Sequence, residues 1–262
     1  MQSLKWLTGL ALAASAPAQT PQPQTPPTPV VLELFTSEGC SSCVSADTLF
    51  AQIERGGRAW FNATELITLG EHVDYWDSAE WRDRFSSPLF SSRQQDYGRA
   101  FHAQDVFTPQ VVVNGQMQCI GSDLPCIQRA VQEASRAPRA AVGIRAGAGA
   151  DVVSVSVQHL PPDANPSEVL LGITESGVGS NILGGENRGR RAVHTAVVRS
   201  LTQLSRLDVK KSGAYNADVK LNLNPHWDRR NLKLVVLVQD RTTRRIVGAA
   251  ASPVCAVGPA AC

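Results

Sequence analysis

The stretch Ser37-Glu38-Gly39-Cys40-Ser41-Ser42-Cys43-Val44-Ser45-Ala46-Asp47 constrains the chain more than any other. It follows Val30–Phe35 (VVLELF), a short β-rich run of the kind that forms a buried strand. It opens a segment in which Ala46, Leu49, Phe50 and Ile53 recur at helical spacing, ended by Gly56-Gly57. A cysteine pair between a strand and a helix faces unpaired N–H groups and the positive end of the helix dipole. Those donors favour thiolate, making Cys40 the nucleophile and Cys43 the resolving thiol. Two other readings compete. A zinc half-site needs a second ligand pair, and no other C-x-x-C or C-x-x-H exists. An inert structural disulfide remains open.

The following elements extend the frame. A second strand is expected over 65–73 (ELITLGEHV), parallel to the first. After the loop Asp74-Tyr75-Trp76-Asp77 a helix is expected over 87–103. Asn114-Gly115 between β-rich runs is a strong hairpin signal. Ser122 or Asp123 caps a last helix reaching about Ala137, with Pro125 in its first turn. The order β-α-β-α-β-β-α makes a three-layer α/β domain over 30–139. Beyond it, β-rich runs at 141–145, 151–158, 168–174, 193–201, 217–223, 231–239 and 245–251 argue for an all-β, sandwich-like domain over 140–262.

The N-terminus reads as a targeting segment. Lys5, the apolar run Trp6–Ala14 and Ala16-Pro17-Ala18 fit a signal peptide over 1–18. Residues 19–29 are then a Pro-rich linker. The expected location is periplasmic or secreted, with no transmembrane segment after cleavage, since no internal run approaches the ~20 apolar residues a spanning helix needs. All six cysteines then meet an oxidising compartment. Cys119 with Cys126, and Cys255 with Cys262, are each seven apart and are expected as local structural disulfides; the cross-pairing 119–255 with 126–262 stays open. Residues 1–140 carry 10 Lys/Arg against 14 Asp/Glu, and residues 141–262 carry 15 against 9. Basic residues such as Arg188, Arg190 and Arg191 are not interleaved with aromatics, so no nucleic-acid partner is expected.

Four further features bear on chemistry. Thr108-Pro109 opens the hairpin, where proline cannot donate to a sheet; a cis bond there lets residue 108 offer its backbone to an extended substrate. His72, Asp74 and Trp76 follow the second strand at the edge that carries Cys40; His72 can hold a proton or a metal, and Asp74 can orient it. Glu33 is expected to be buried, either as the proton acceptor for Cys43 or as a salt-bridged strand residue. Gly184-Gly185-Glu186-Asn187-Arg188-Gly189-Arg190, with His194 and Arg199, reads as a fixed turn rather than a phosphate loop, lacking a lysine at P-loop spacing.

FTPQVVVNG is similar to the cis-proline strand and turn of thioredoxin-like proteins. Across the mature chain, LELFTSEGCSSC, HVDYWD, TPQVVVNG and GENRGR…H…VVR resemble the exported family DUF1223. That resemblance implies a thioredoxin-like domain followed by a β-rich domain, and little about activity. Val44-Ser45 stands where that family usually has Pro-Pro, and Glu71 where it has an apolar residue. The first expectation is thiol–disulfide exchange with a protein or small-thiol partner and no cofactor beyond the disulfide, with Cys40, Cys43 and Glu33 catalytic and Thr108, Pro109, His72, Asp74 and Trp76 binding substrate. The second is soft-metal handling, with copper held by Cys40, Cys43 and His72. The third is a binding module with a fixed disulfide.

Overall fold

The structure is a computed structural model and describes residues 29–56, 59–164, 166–208 and 213–257. The expected signal peptide and nearly all of the linker lie outside these residues. The N-terminal elements are β1 (Val30–Thr36), α1 (Cys43–Gly56), β2 (Leu66–His72), α2 (Pro88–Ala100), β3 (Gln110–Val113), β4 (Met117–Ile120) and α3 (Leu124–Ala134). The order is the expected one because each signal is local. Ser87 caps α2 and Asp123 caps α3, each with proline in the first turn. Asn114 and Gly115 both take positive φ, the geometry that returns β3 to β4.

β1 is central to this part. It pairs parallel with β2, from Val30↔Leu66 to Thr36↔His72, and antiparallel with β3. Its alternate residues face opposite layers. Val30, Leu32 and Leu34 pack with Ala46, Phe50 and Ile53 of α1 and Ile127 and Val131 of α3. On the other face Phe35 packs against Tyr97 of α2. Every residue of β1 is buried, so both faces are covered and the run is nearly all apolar.

The later strands are β5 (Ala141–Ala146), β6 (Val152–Gln158), β7 (Ser167–Glu175), β8 (Val178–Asn181), β9 (Arg191–His194), β10 (Val197–Leu207), β11 (Tyr215–Lys220), β12 (Leu232–Asp240) and β13 (Ile246–Pro253). The sandwich expected of residues 140–262 is not self-contained. Four of its strands continue the first sheet, giving eight strands in the order β13-β12-β7-β10-β2-β1-β3-β4. The join is short: Val197 of β10 pairs parallel with Gly70 of β2, and the Gly70 amide donates to Ala196 O at 2.7 Å. A Cβ at position 70 would stand 3.0 Å from the Thr195 carbonyl oxygen, so glycine permits this approach. The join covers the open edge that β2 would otherwise present.

A three-stranded sheet, β11-β6-β5, lies over the far end of the large one. Val153, Val155 and Val157 of β6 pack with Leu171 and Ile173 of β7 and Leu234, Val236 and Val238 of β12. The intervening Val235 and Leu237 share a core with Phe90 of α2. The run expected at 193–201 divides at Thr195-Ala196, where Ala196 has positive φ. Its first part, β9, pairs with β8 in a separate hairpin that the sequence reading did not anticipate. That hairpin and its connection return to the cysteine pair.

Candidate functional site

Cys40 and Cys43 form a disulfide, with S–S 2.09 Å, at the N-terminus of α1. Both are fully buried, while Ser41 and Ser42 between them are exposed. The Thr108-Pro109 bond is cis. Thr108 Oγ1 accepts from Trp76 Nε1 at 2.7 Å and donates to Cys40 Sγ at 3.5 Å. The indole occupies an acceptor position of the hydroxyl, leaving its hydrogen for the sulfur. A Cβ on Gly39 would meet Trp76 at 3.1–3.2 Å, so the indole residue sits on the turn before Cys40. Tyr75 and Phe107, beside Trp76 and Thr108 in sequence, are exposed aromatic rings.

The turn is held from a distance in the chain. Asn187 Nδ2 donates to the carbonyls of Glu38 (2.9 Å) and Cys40 (3.0 Å), and Glu186 Oε2 accepts from the Ser41 amide at 3.0 Å. These hydrogen bonds hold the Glu186 carboxyl below its ordinary value. The GENRGR turn is therefore fixed, as expected, and what it contacts is the cysteine turn.

A second layer of polar side chains lies on the same side. His72 Nδ1 donates to Asp83 Oδ2 at 2.6 Å, and Asp83 also accepts from the amides of Glu38 and Phe85, both at 2.9 Å. His194 Nε2 lies 2.9 Å from Glu38 Oε1. The two imidazoles meet edge to face at 4.8 Å between ring centres, with Phe85 against both. Thr36 Oγ1 donates to Asp47 Oδ1 at 2.8 Å. Burial lowers the imidazole pKa of His72, but Asp83, Asp47 and Glu38 outweigh it and the net shift is upward. Burial raises the carboxyl of Asp83, yet His72 and the two amides hold it below its ordinary value. At Asp47 burial prevails over His72 and His194, and its pKa is raised.

The structure brings Cys40, Cys43, Thr108, Pro109 and Trp76 together, with His72 behind the turn. Two expected roles change. Asp74 does not orient His72: it bonds Ser91 of α2 through its amide and its carboxylate, and Asp83 takes the imidazole. Glu33 does not lie under Cys43. Its strand position points it to α2, on the sheet face opposite α1, where Arg93 Nε donates to it at 2.6 Å and Tyr97 OH also donates to it. Arg93 further donates to Gln239 Oε1 (2.9 Å) and Tyr97 OH (3.0 Å), tying β12 into the same cluster. Glu71 stands 3.3 Å from Arg93, and burial, then Glu33, drives its pKa well above the ordinary carboxylate value. Its carboxyl group therefore belongs to this cluster and not to the His72 side.

Among the described residues no group of three or more His, Cys, Asp or Glu side chains is arranged to hold a metal ion. In this oxidised form the sulfurs of Cys40 and Cys43 are joined and His72 is paired with Asp83. Cys119 and Cys126 are joined across β4 and α3, so the cross-pairing with the tail does not occur. Cys255 is also disulfide-bonded; Cys262, its expected partner, lies outside the described residues. The sequence reading missed Asp83, and passed over Glu38 and Asp47 although both flank the cysteines. Their acidity next to the pair was the available signal.

Among the described residues the fold and site define a mixed α/β protein with one large mixed sheet, three α-helices, smaller antiparallel sheets and a disulfide opening the first helix. The profile of the family described as "Protein of unknown function (DUF1223)" matches residues 31–239, and the chain belongs to that family. No curated protein matches. Two solved structures are similar. One is the X-ray structure of a structural-genomics target from Agrobacterium tumefaciens, 22% identical, with TM-score 0.68, covering 85% of this chain and 92% of its own. The other is HBP35 of Porphyromonas gingivalis, 14% identical, with TM-score 0.64, covering 90% of this chain and 78% of its own. At these identities the likeness is one of fold.

Proposed function

We propose that this is an exported, periplasmic or secreted thiol–disulfide exchange protein whose N-terminal part is thioredoxin-like. The observation that carries the reading is the Thr108 hydroxyl directed at Cys40 Sγ, at the N-terminus of α1. Together with the helix dipole it stabilises negative charge on that sulfur, which lowers the thiol pKa and improves Cys40 as nucleophile and leaving group. In the reduced protein the Cys40 thiolate attacks a substrate disulfide, forming a mixed disulfide and releasing one substrate thiolate. The Cys43 thiolate then attacks Cys40 Sγ. It releases the second substrate thiolate and restores the Cys40–Cys43 disulfide. Run in reverse, the same steps oxidise a substrate dithiol. The backbone at Thr108-Pro109 and the exposed rings of Tyr75 and Phe107 supply a surface for an extended peptide.

The test is the reduction potential of the pair against glutathione and the pH dependence of Cys40 alkylation in the reduced protein. Exchange predicts a Cys40 thiol well below the ordinary ~8.5 and a potential above about −300 mV. A lower potential with an ordinary thiol removes the proposal. A second reading, a fixed disulfide in a binding module, draws on the full burial of both sulfurs and the hold of Glu186 and Asn187 on the turn. A Cys43→Ser variant separates the two: exchange accumulates a mixed disulfide at Cys40 with an added model disulfide, and a fixed bridge does not.

A further inference from the structure

The 184–190 turn belongs to the C-terminal part of the chain, yet its Glu186 reaches the backbone between the two cysteines. Glu186 Oε2 accepts from the amide of Ser41, the residue after Cys40, at 3.0 Å. Four bonds separate that nitrogen from Cys40 Sγ, so the carboxylate lies within about 8 Å of the sulfur. Asn187, next in the chain, fixes this placement through its bonds to the carbonyls of Glu38 and Cys40. Glu186 is exposed and Ser41 holds its carboxyl below the ordinary value, so it is ionised at neutral pH.

Two opposed influences meet at Cys40. A disulfide sulfur carries no hydrogen, so Ser42 Oγ donates to Cys40 Sγ at 3.3 Å, beside the Thr108 hydroxyl at 3.5 Å. These donors and the N-terminus of α1 favour negative charge on the sulfur. Glu186 opposes it by its own charge, and by taking one of the free N–H groups that make that terminus positive. The carboxylates on the surrounding elements bond other groups: Glu38 to His194, Asp83 to His72, Asp47 to Thr36, Asp74 to Ser91 and Asp77 to Ser86. Glu80 is exposed beside Gly184, Arg82 pairs with Asp77, and Arg84 donates to the Gly179 carbonyl. Arg190 lines, with Arg55 and Arg191, a groove of about 430 Å³ between α1 and β9. Among the described residues neither Arg188 nor Arg190 is ion-paired with Glu186, and only Ser41 lowers its carboxyl. Among those residues Glu186 is also the one carboxylate bonded to the backbone between the cysteines.

We propose, on the reading of Cys40 as the attacking thiol, that Glu186 restrains it: the carboxylate disfavours the thiolate, so the C-terminal part of the chain sets how reducing the pair is. The disulfide is neutral, whereas its two-electron reduction with one proton leaves a Cys40 thiolate and a Cys43 thiol. Repulsion from Glu186 therefore weighs on the reduced form and favours the disulfide.

Glu186→Gln removes the charge and keeps an acceptor for Ser41, and Glu186→Lys reverses the charge. In the reduced full chain, Cys40 alkylation by iodoacetamide is followed against pH and resolved by peptide mass. The midpoint of the rate–pH profile should fall in Glu186→Gln, equivalent to a thiolate fraction about two- to tenfold larger, and fall further in Glu186→Lys. The equilibrium with glutathione should move about two- to tenfold toward the dithiol, roughly 10–30 mV for this two-electron couple. The gap between wild type and Glu186→Gln should narrow in 1 M salt, where charges are screened beyond ~3 Å. An unmoved midpoint in both variants overturns the proposal. So does a gap that 1 M salt leaves unchanged, which marks a structural effect of the turn. The midpoint responds to charge whether or not the pair exchanges with substrate, so failure of the exchange reading and failure of the Glu186 assignment give different results.

Discussion

Replacing Asp83 by alanine tests how the polar layer behind the cysteine turn is held. Asp83 is 1% exposed and accepts three hydrogen bonds, from His72 Nδ1 and the amides of Glu38 and Phe85. The variant leaves three buried donors without an acceptor. An orphaned donor costs about 1–3 kcal/mol, and breaking a buried charged pair about 3–5 kcal/mol; these costs overlap, so the expected loss is about 3–5 kcal/mol in all. For a chain of this size that lowers Tm by roughly 6–20 °C.

The deficit also depends on pH in a defined way. His72 has a folded pKa raised above its ordinary 6.5, so its part is fully present below that value and is lost as pH rises through the folded pKa. Asp83 has a folded pKa below its ordinary 3.8, so its part is present above 3.8 and is lost as pH falls through the folded pKa. Both describe one interaction, and the gap between wild type and Asp83→Ala should be widest between about pH 4 and 6.5. Urea unfolding across pH 3–9 measures it, with NMR titration of the His72 ring as the second readout; the ring pKa should fall in the variant. A loss under about 1 kcal/mol at pH 5, with the His72 titration unmoved, refutes the argument.

Further outcomes follow from the same reasoning. Asn187→Ala removes both hydrogen bonds to the turn and should speed dithiothreitol reduction of Cys40–Cys43 by about three- to tenfold, read by thiol labelling. Arg93→Met strands the buried Glu33 carboxylate and should cost about 3–5 kcal/mol in urea unfolding, with Glu33→Gln in the same chain recovering part of it. Glu71 has a folded pKa well above its ordinary 4.5, so wild-type stability should decline as pH rises through the interval between them. Glu71→Gln should abolish that decline, as seen in Tm against pH.

The N-terminal half was legible because its signals are local and agree. An apolar run, a C-x-x-C, capped helices and an Asn-Gly turn each specify their own few residues, and together they fix the order of elements. The C-terminal half was legible as strands but not as a sheet. Alternation identifies a strand and its faces, while partner choice depends on edges distant in sequence. Nothing near Val197 announces that it meets Gly70, or near Gly70 that a carbonyl will stand where a Cβ would be. Glu33 shows the same division: its burial was readable from strand geometry, but its partner, Arg93 or Cys43, depended on which helix covered that face.

By itself the sequence determined a disulfide-competent pair between a strand and a helix, with Thr108-Pro109 and Trp76 as its neighbours. Those residues sit at the ends of adjacent elements, and chain connectivity leaves them little freedom. Only the tertiary structure decided that Glu186, Asn187 and His194 come to that turn from nearly 150 residues away, that Asp83 rather than Asp74 holds His72, and that a groove opens beside α1. The physical reason is that these contacts arise from sheet continuation at the β2 edge and from the β8–β9 hairpin folding back. Both are set by long-range packing, which local periodicity does not encode.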